Sequence, residues 1–138
     1  FDIELLTERL VAATSWLMAQ DNVEDLALGY FGASTGAAAA LRAAVEVSTP
    51  IDAIVSRGGR PDLAADILPD VATPTLLIVG GADEPVLELN REAYRLLGGE
   101  KALSVVPGAT HLFGEPRALE QVARLTTDWF ERFLVADG

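Results

Sequence analysis

Between Leu28 and Leu41 an apolar run closes in Gly32-Ala33-Ser34-Thr35-Gly36, and the small-residue run Ala37–Ala40 follows at once. No other stretch restricts the fold as much. An apolar run entering such a turn reads as a buried strand, and the alanine-rich run leaving it reads as a helix. The spacing is G-x-S-x-G, which places the serine on a sharp, strained strand-to-helix turn with its hydroxyl pushed out of the sheet. The neighbours must be small because the turn brings two stretches of backbone together. The helix that follows points its free N–H groups and positive end at whatever meets the serine.

Around this turn the chain alternates. Residues 1–20 read as an amphipathic helix, with Ile3, Leu6, Leu10, Ala13 and Leu17 at helical spacing. Residues 26–31 read as a strand covered on both faces, and residues 34–47 as the helix after the turn. Residues 51–56 form the next strand, and a short helix is expected over 62–67 after the loop Arg57-Gly58-Gly59-Arg60-Pro61. Thr75–Val79 is the strongest strand signal. A helix over 85–97 follows, with Val86, Leu89, Ala93 and Leu96 as its apolar stripe. Residues 102–106 form the last strand. The final helix covers 116–135, with Leu119, Val122, Thr126, Phe130 and Phe133 on one side. Trp16, Trp129, Phe130 and Phe133 are expected in the core or in helix–sheet packing. Strands alternating with helices predict an α/β fold: one domain over residues 1–138, a parallel sheet of four strands with helices on both faces. Right-handed crossovers then bring the loop after each strand to one edge, where ligands bind.

Three of those loops carry reactive side chains in the order Ser34, Asp83, His111. A serine hydroxyl is a poor nucleophile at neutral pH unless a neutral imidazole accepts its proton as it attacks a carbonyl. A carboxylate fixes the imidazole tautomer and stabilises the imidazolium that forms. The backbone N–H of Thr35 is placed to donate to the developing oxyanion. Glu84 is the alternative acid, and Asp83 also suits a helix N-cap. Arg57 and Arg60 flank the glycines of a loop at the same edge. They are candidates to bind a substrate carboxylate or phosphate, or to pair with nearby carboxylates.

Composition narrows the partners. The 138 residues carry 21 acidic and 10 basic side chains, a net charge of −11, which opposes binding to nucleic acid. No apolar run approaches the ~18 residues that span a membrane. There is no cysteine and a single histidine, so disulfides, a cysteine nucleophile, thiolate metal sites and histidine-rich metal sites are excluded. The expected chemistry requires no cofactor, and a cytoplasmic setting is the working expectation. The sequence opens on Phe1 inside a helical pattern, which reads as a fragment or a processed product.

With these motifs in place, the chain resembles the C-terminal part of an α/β-hydrolase domain, nearest the dienelactone-hydrolase-like group. The matching segments are Gly-Tyr-Phe-Gly-Ala-Ser-Thr-Gly, Pro-Thr-Leu-Leu-Ile-Val-Gly-Gly-Ala-Asp-Glu-Pro-Val and Val-Pro-Gly-Ala-Thr-His-Leu-Phe, and the resemblance runs over nearly the whole chain. It implies Ser34 as nucleophile, Asp83 as acid, His111 as base, and a small ester, lactone or thioester as substrate. Acyl transfer or peptide hydrolysis would use the same residues. Dienelactone hydrolases themselves use cysteine; serine here favours ordinary ester chemistry. The resemblance also extends to hydrolase-like modules fused behind a phosphoribosyltransferase domain, so a truncated or accessory module without activity of its own is the alternative. The family's sheet is wider than the strands read here. Its front part supplies a second oxyanion donor, a loss of which typically costs ~10²–10³ in rate. The strand at Leu26–Phe31 would then be an exposed apolar edge, to be covered by an upstream segment or a second copy.

Overall fold

The computed structural model describes residues 2–23 and 25–135. Helix α1 (Ile3–Met18) is followed by strand β1 (Gly29–Ala33), helix α2 (Thr35–Glu46) and strand β2 (Ala53–Arg57). A kinked 3₁₀ segment (Pro61–Asp70) leads to strand β3 (Thr75–Gly80), helix α3 (Glu84–Leu96), strand β4 (Lys101–Val106) and helix α4 (Ala118–Phe133). Among the described residues the strands form one parallel sheet in the order β1-β2-β3-β4. The predicted alternation is therefore the observed one. Among the described residues, no helix is long and apolar enough to cross a membrane.

Strand side chains alternate between two cores, as the period of two requires. Tyr30, Ile54 and Leu77 face α1, α2, the 3₁₀ segment and α3. Ala53, Val55, Leu76 and Ile78 face α4 together with Phe113. The alanines of α2 are what let that helix lie close to the sheet, and Ala37–Ala40 are almost completely buried. Gly32 permits the same approach from the strand: a Cβ there would sit 2.6 Å from the Gly36 carbonyl oxygen.

Several expectations shift. β1 starts at Gly29, and Leu26 lies outside it, exposed, because the strand must run on to Ala33 to deliver Ser34 into the turn. The inward face of α1 carries Thr7 and Thr14, and Ala13 is exposed. Threonine tolerates this because each hydroxyl donates to the carbonyl one turn back, Thr7 to Ile3 at 2.7 Å and Thr14 to Leu10 at 2.8 Å. With its proton so used, Thr14 Oγ1 accepts from the buried Tyr30 hydroxyl at 2.6 Å. Trp16 falls on the far side of α1 and is 65% exposed, not in the core. On α4 the buried line is Ala118, Val122 and Trp129; Leu119 is 53% exposed. Trp129 is drawn inward by its indole N–H, which donates to the Pro74 carbonyl at 3.3 Å. On α3 the buried residues are Leu87, Asn90 and Ala93, a face turned by one position from the expected stripe. The cause is a side-chain amide that has partners inside.

Candidate active site

β1, β3 and β4 end at the same edge of the sheet, and the residues after them meet there. Ser34 is the single residue between β1 and α2, with φ 50° and ψ −126°. Such a backbone is costly for a residue with a Cβ and persists only where its surroundings enforce it. Here they do: the Ser34 carbonyl accepts from Ala37 N–H at 3.2 Å and from Arg60 N–H at 3.0 Å. Thr35 opens α2, so its N–H lies in the helix's first turn, where no intrahelical acceptor exists.

Asp83 caps α3 by position, although its side chain makes no cap hydrogen bond. Its carboxylate Oδ2 lies 3.0 Å from Nδ1 of His111, whose Nε2 lies 2.9 Å from the Ser34 hydroxyl. An ionised carboxylate only accepts, so Nδ1 carries the proton and donates to Asp83, and the lone pair on Nε2 accepts from the Ser34 hydroxyl. The side chain of Asp83 is 14% exposed and that of His111 is 42% exposed. The acid is sheltered and the imidazole faces an open edge. The three expected residues are thus brought into one hydrogen-bond chain. Glu84, the alternative acid, is exposed as the first residue of α3 and makes no hydrogen bond to His111.

The two arginines separate. Arg60 closes a two-pronged pair with Asp62, at 2.9 and 2.8 Å, which holds the guanidinium charged and occupied. Arg57 forms no ion pair among the described residues. Its guanidinium stands 5.7 Å from the centre of the Phe113 ring, and it pairs in register with Ala33, the residue before Ser34. Grooves between α1 and α2 and between β4 and α4 lie away from these groups.

Sequence reading missed the loop around His111. Glu115 reaches back to accept from Thr110 N–H at 2.8 Å and from the Thr110 hydroxyl at 2.7 Å. Its only sequence signal is an acid four residues after the histidine. The Thr110 hydroxyl, then its backbone N–H, hold the Glu115 carboxyl below its ordinary pKa. A carboxyl shifted downward contributes stability above its unfolded pKa, and that contribution is lost as pH falls through the folded value. The Thr110 amide is therefore expected to lose hydrogen-exchange protection on acidification below about pH 4.5, the ordinary value. In Glu115→Gln the protection should be weaker throughout and flat across that range. Equal acid sensitivity in both proteins would contradict the assignment.

Sheet order, helix placement and the turn at Ser34 define an α/β-hydrolase fold. The chain is 53% identical to a dienelactone hydrolase from Anabaena variabilis of known structure, covering 97% of this chain and 62% of that one with a TM-score of 0.94. The esterase PE8 shares the fold at 24% identity and a TM-score of 0.74, over 92% of this chain and 61% of that one. Two proteins of Mycobacterium tuberculosis, from strains CDC 1551 and H37Rv, are 58% identical over all 138 residues and are named provisionally as phosphoribosyl transferases. The chain spans 31% of the length of those curated relatives. No family model matches the chain.

Proposed function

We propose that the chain is the catalytic part of a serine hydrolase acting on a small carboxylic ester, lactone or thioester. One observation carries this reading: the continuous hydrogen-bond chain from Ser34 through His111 to Asp83. In the proposed reaction the Ser34 oxygen attacks the substrate carbonyl carbon while its proton passes to Nε2 of His111. Asp83 stabilises the imidazolium, and the Thr35 N–H donates to the carbonyl oxygen as it gains negative charge. The tetrahedral intermediate collapses, the bond to the leaving oxygen or sulfur breaks, and His111 returns the proton to that group. Water activated by His111 then hydrolyses the acyl-serine, restoring the hydroxyl. Arg57, which forms no ion pair among the described residues, is proposed to favour substrates bearing an acid group; Arg60 is committed to Asp62.

A second reading has its own support. Phe31, on the edge strand of the described sheet, is 51% exposed, and the relatives in which the matching segment makes up 31% of the length carry another name. On that reading the chain is an accessory module. Treatment with a fluorophosphonate separates the two. A hydrolase gives a phosphonylated chain with the adduct at Ser34, located by peptide mass spectrometry. A folded chain that takes up no probe would refute the hydrolase reading.

A further inference from the structure

Helix α3 holds a carboxamide where packing alone would select leucine. Asn90 is fully buried, and its amide nitrogen donates to the Gly59 carbonyl at 3.0 Å and to the Val86 carbonyl at 2.8 Å. Both neighbours are acceptors, so the nitrogen must be the atom facing them. Its Oδ1 is buried with no partner. A buried polar atom left unpaired costs free energy, and a compensating role is the usual explanation for keeping one.

The Gly59 carbonyl belongs to the loop that is hydrogen-bonded to Ser34 and runs beside His111. Gly58 N–H donates to the Ile78 carbonyl at 2.7 Å, and a Cβ added at Gly58 would stand 3.3 Å from the His111 carbonyl oxygen and 3.4 Å from its Nδ1. Arg60 N–H donates to the Ser34 carbonyl at 3.0 Å. Between them Gly59 fills a slot with no room for a side chain: a Cβ would strike Ser56 Oγ and would stand 2.5 Å from the Ala37 Cβ. The same helix that presents Asp83 at its start therefore grips, two turns on, the loop that braces the serine and lies next to the imidazole.

We infer that Asn90 is a positioning residue, setting the Ser34–His111 separation through Gly59. The inference rests on the hydrolase reading above. Loss of the grip lets the loop slide, and a displacement of about 1 Å at reacting groups costs on the order of 10²-fold in rate. Ground-state binding does not depend on that separation, so the loss falls on kcat.

The test compares Asn90→Leu, which keeps the branched shape and removes the donor, with Thr75→Val. Thr75 is equally buried and donates to the Thr73 carbonyl at 2.9 Å, at the opposite end of β3 from Ser34. Fluorophosphonate inactivation rate, kcat and KM for a short-chain ester, and thermal midpoint are measured for each. Asn90→Leu is expected to lower kcat and the inactivation rate about 10²-fold, with KM within about twofold. Thr75→Val is expected to lower the midpoint and leave both rates near those of the parent. If Asn90→Leu fails to fold, Asn90→Ser, which keeps a donor on a shorter arm, is measured in its place and should show the same loss in kcat to a smaller degree. Equal rates in parent and Asn90 variants, or equal losses in the Asn90 and Thr75 variants, would overturn the inference and leave the hydrolase reading standing. A folded parent that is itself not inactivated overturns both.

Discussion

Alanine at Ser34 is expected to abolish fluorophosphonate labelling and to lower ester turnover by on the order of 10⁶-fold, about 8 kcal/mol of transition-state stabilisation. The size reflects the role proposed for the hydroxyl, which is the atom that bonds to the substrate. His111→Ala should cost nearly as much, because the hydroxyl 2.9 Å away then has no acceptor for its proton. The informative comparison is the double variant. Groups that act as one unit are far from additive, so removing both should cost little more than removing either. Steady-state turnover of the three variants on a single ester measures this. Multiplying losses would mean that Ser34 and His111 act independently, and the proposed mechanism would fall.

Asparagine at Asp83 is expected to lower kcat about 10⁴-fold with little change in fold. The shape is preserved, but the carboxylate that accepts from Nδ1 at 3.0 Å becomes an amide. Nδ1 no longer has to carry the proton, the ring can take the other tautomer, and Nε2 then presents a hydrogen where a lone pair is required. The imidazolium also loses its counter-charge. Glu84→Gln is the matched control one residue along, on an exposed side chain, and should retain turnover near that of the parent. A larger loss at Glu84 than at Asp83 would exchange their roles.

Much of this arrangement is legible in the sequence because strand ends are. Apolar runs terminate sharply at Gly32, Val79 and Val106, and a polar side chain stands in the turn or loop after each, so topology alone brings Ser34, Asp83 and His111 to one edge. Asn90 was hidden by the same logic. A helix read by its apolar period is assigned the face of Val86, Leu89, Ala93 and Leu96, and an inward carboxamide contradicts that period until its partner, the Gly59 carbonyl, is known. That partner lies 31 residues back, beyond any local pattern. Thr7 and Thr14 misled in the same manner, because their polarity is cancelled by their own helix. Arg57 and Arg60 look equivalent as a pair around two glycines. Only the position of Asp62 tells them apart.

The strands lie side by side in the order in which they are made. Each pairs with the strand made just before it, so the sheet can be assembled stepwise, one crossover closure at a time. The contact between Ser34 and His111 is different, since it joins residues 77 apart and spans all four strands. It cannot close until the last strand is docked. The rate at which a refolding chain acquires a reactive serine would therefore time the end of assembly, and a chain halted before β4 would hold a turn at Ser34 with no base to activate it.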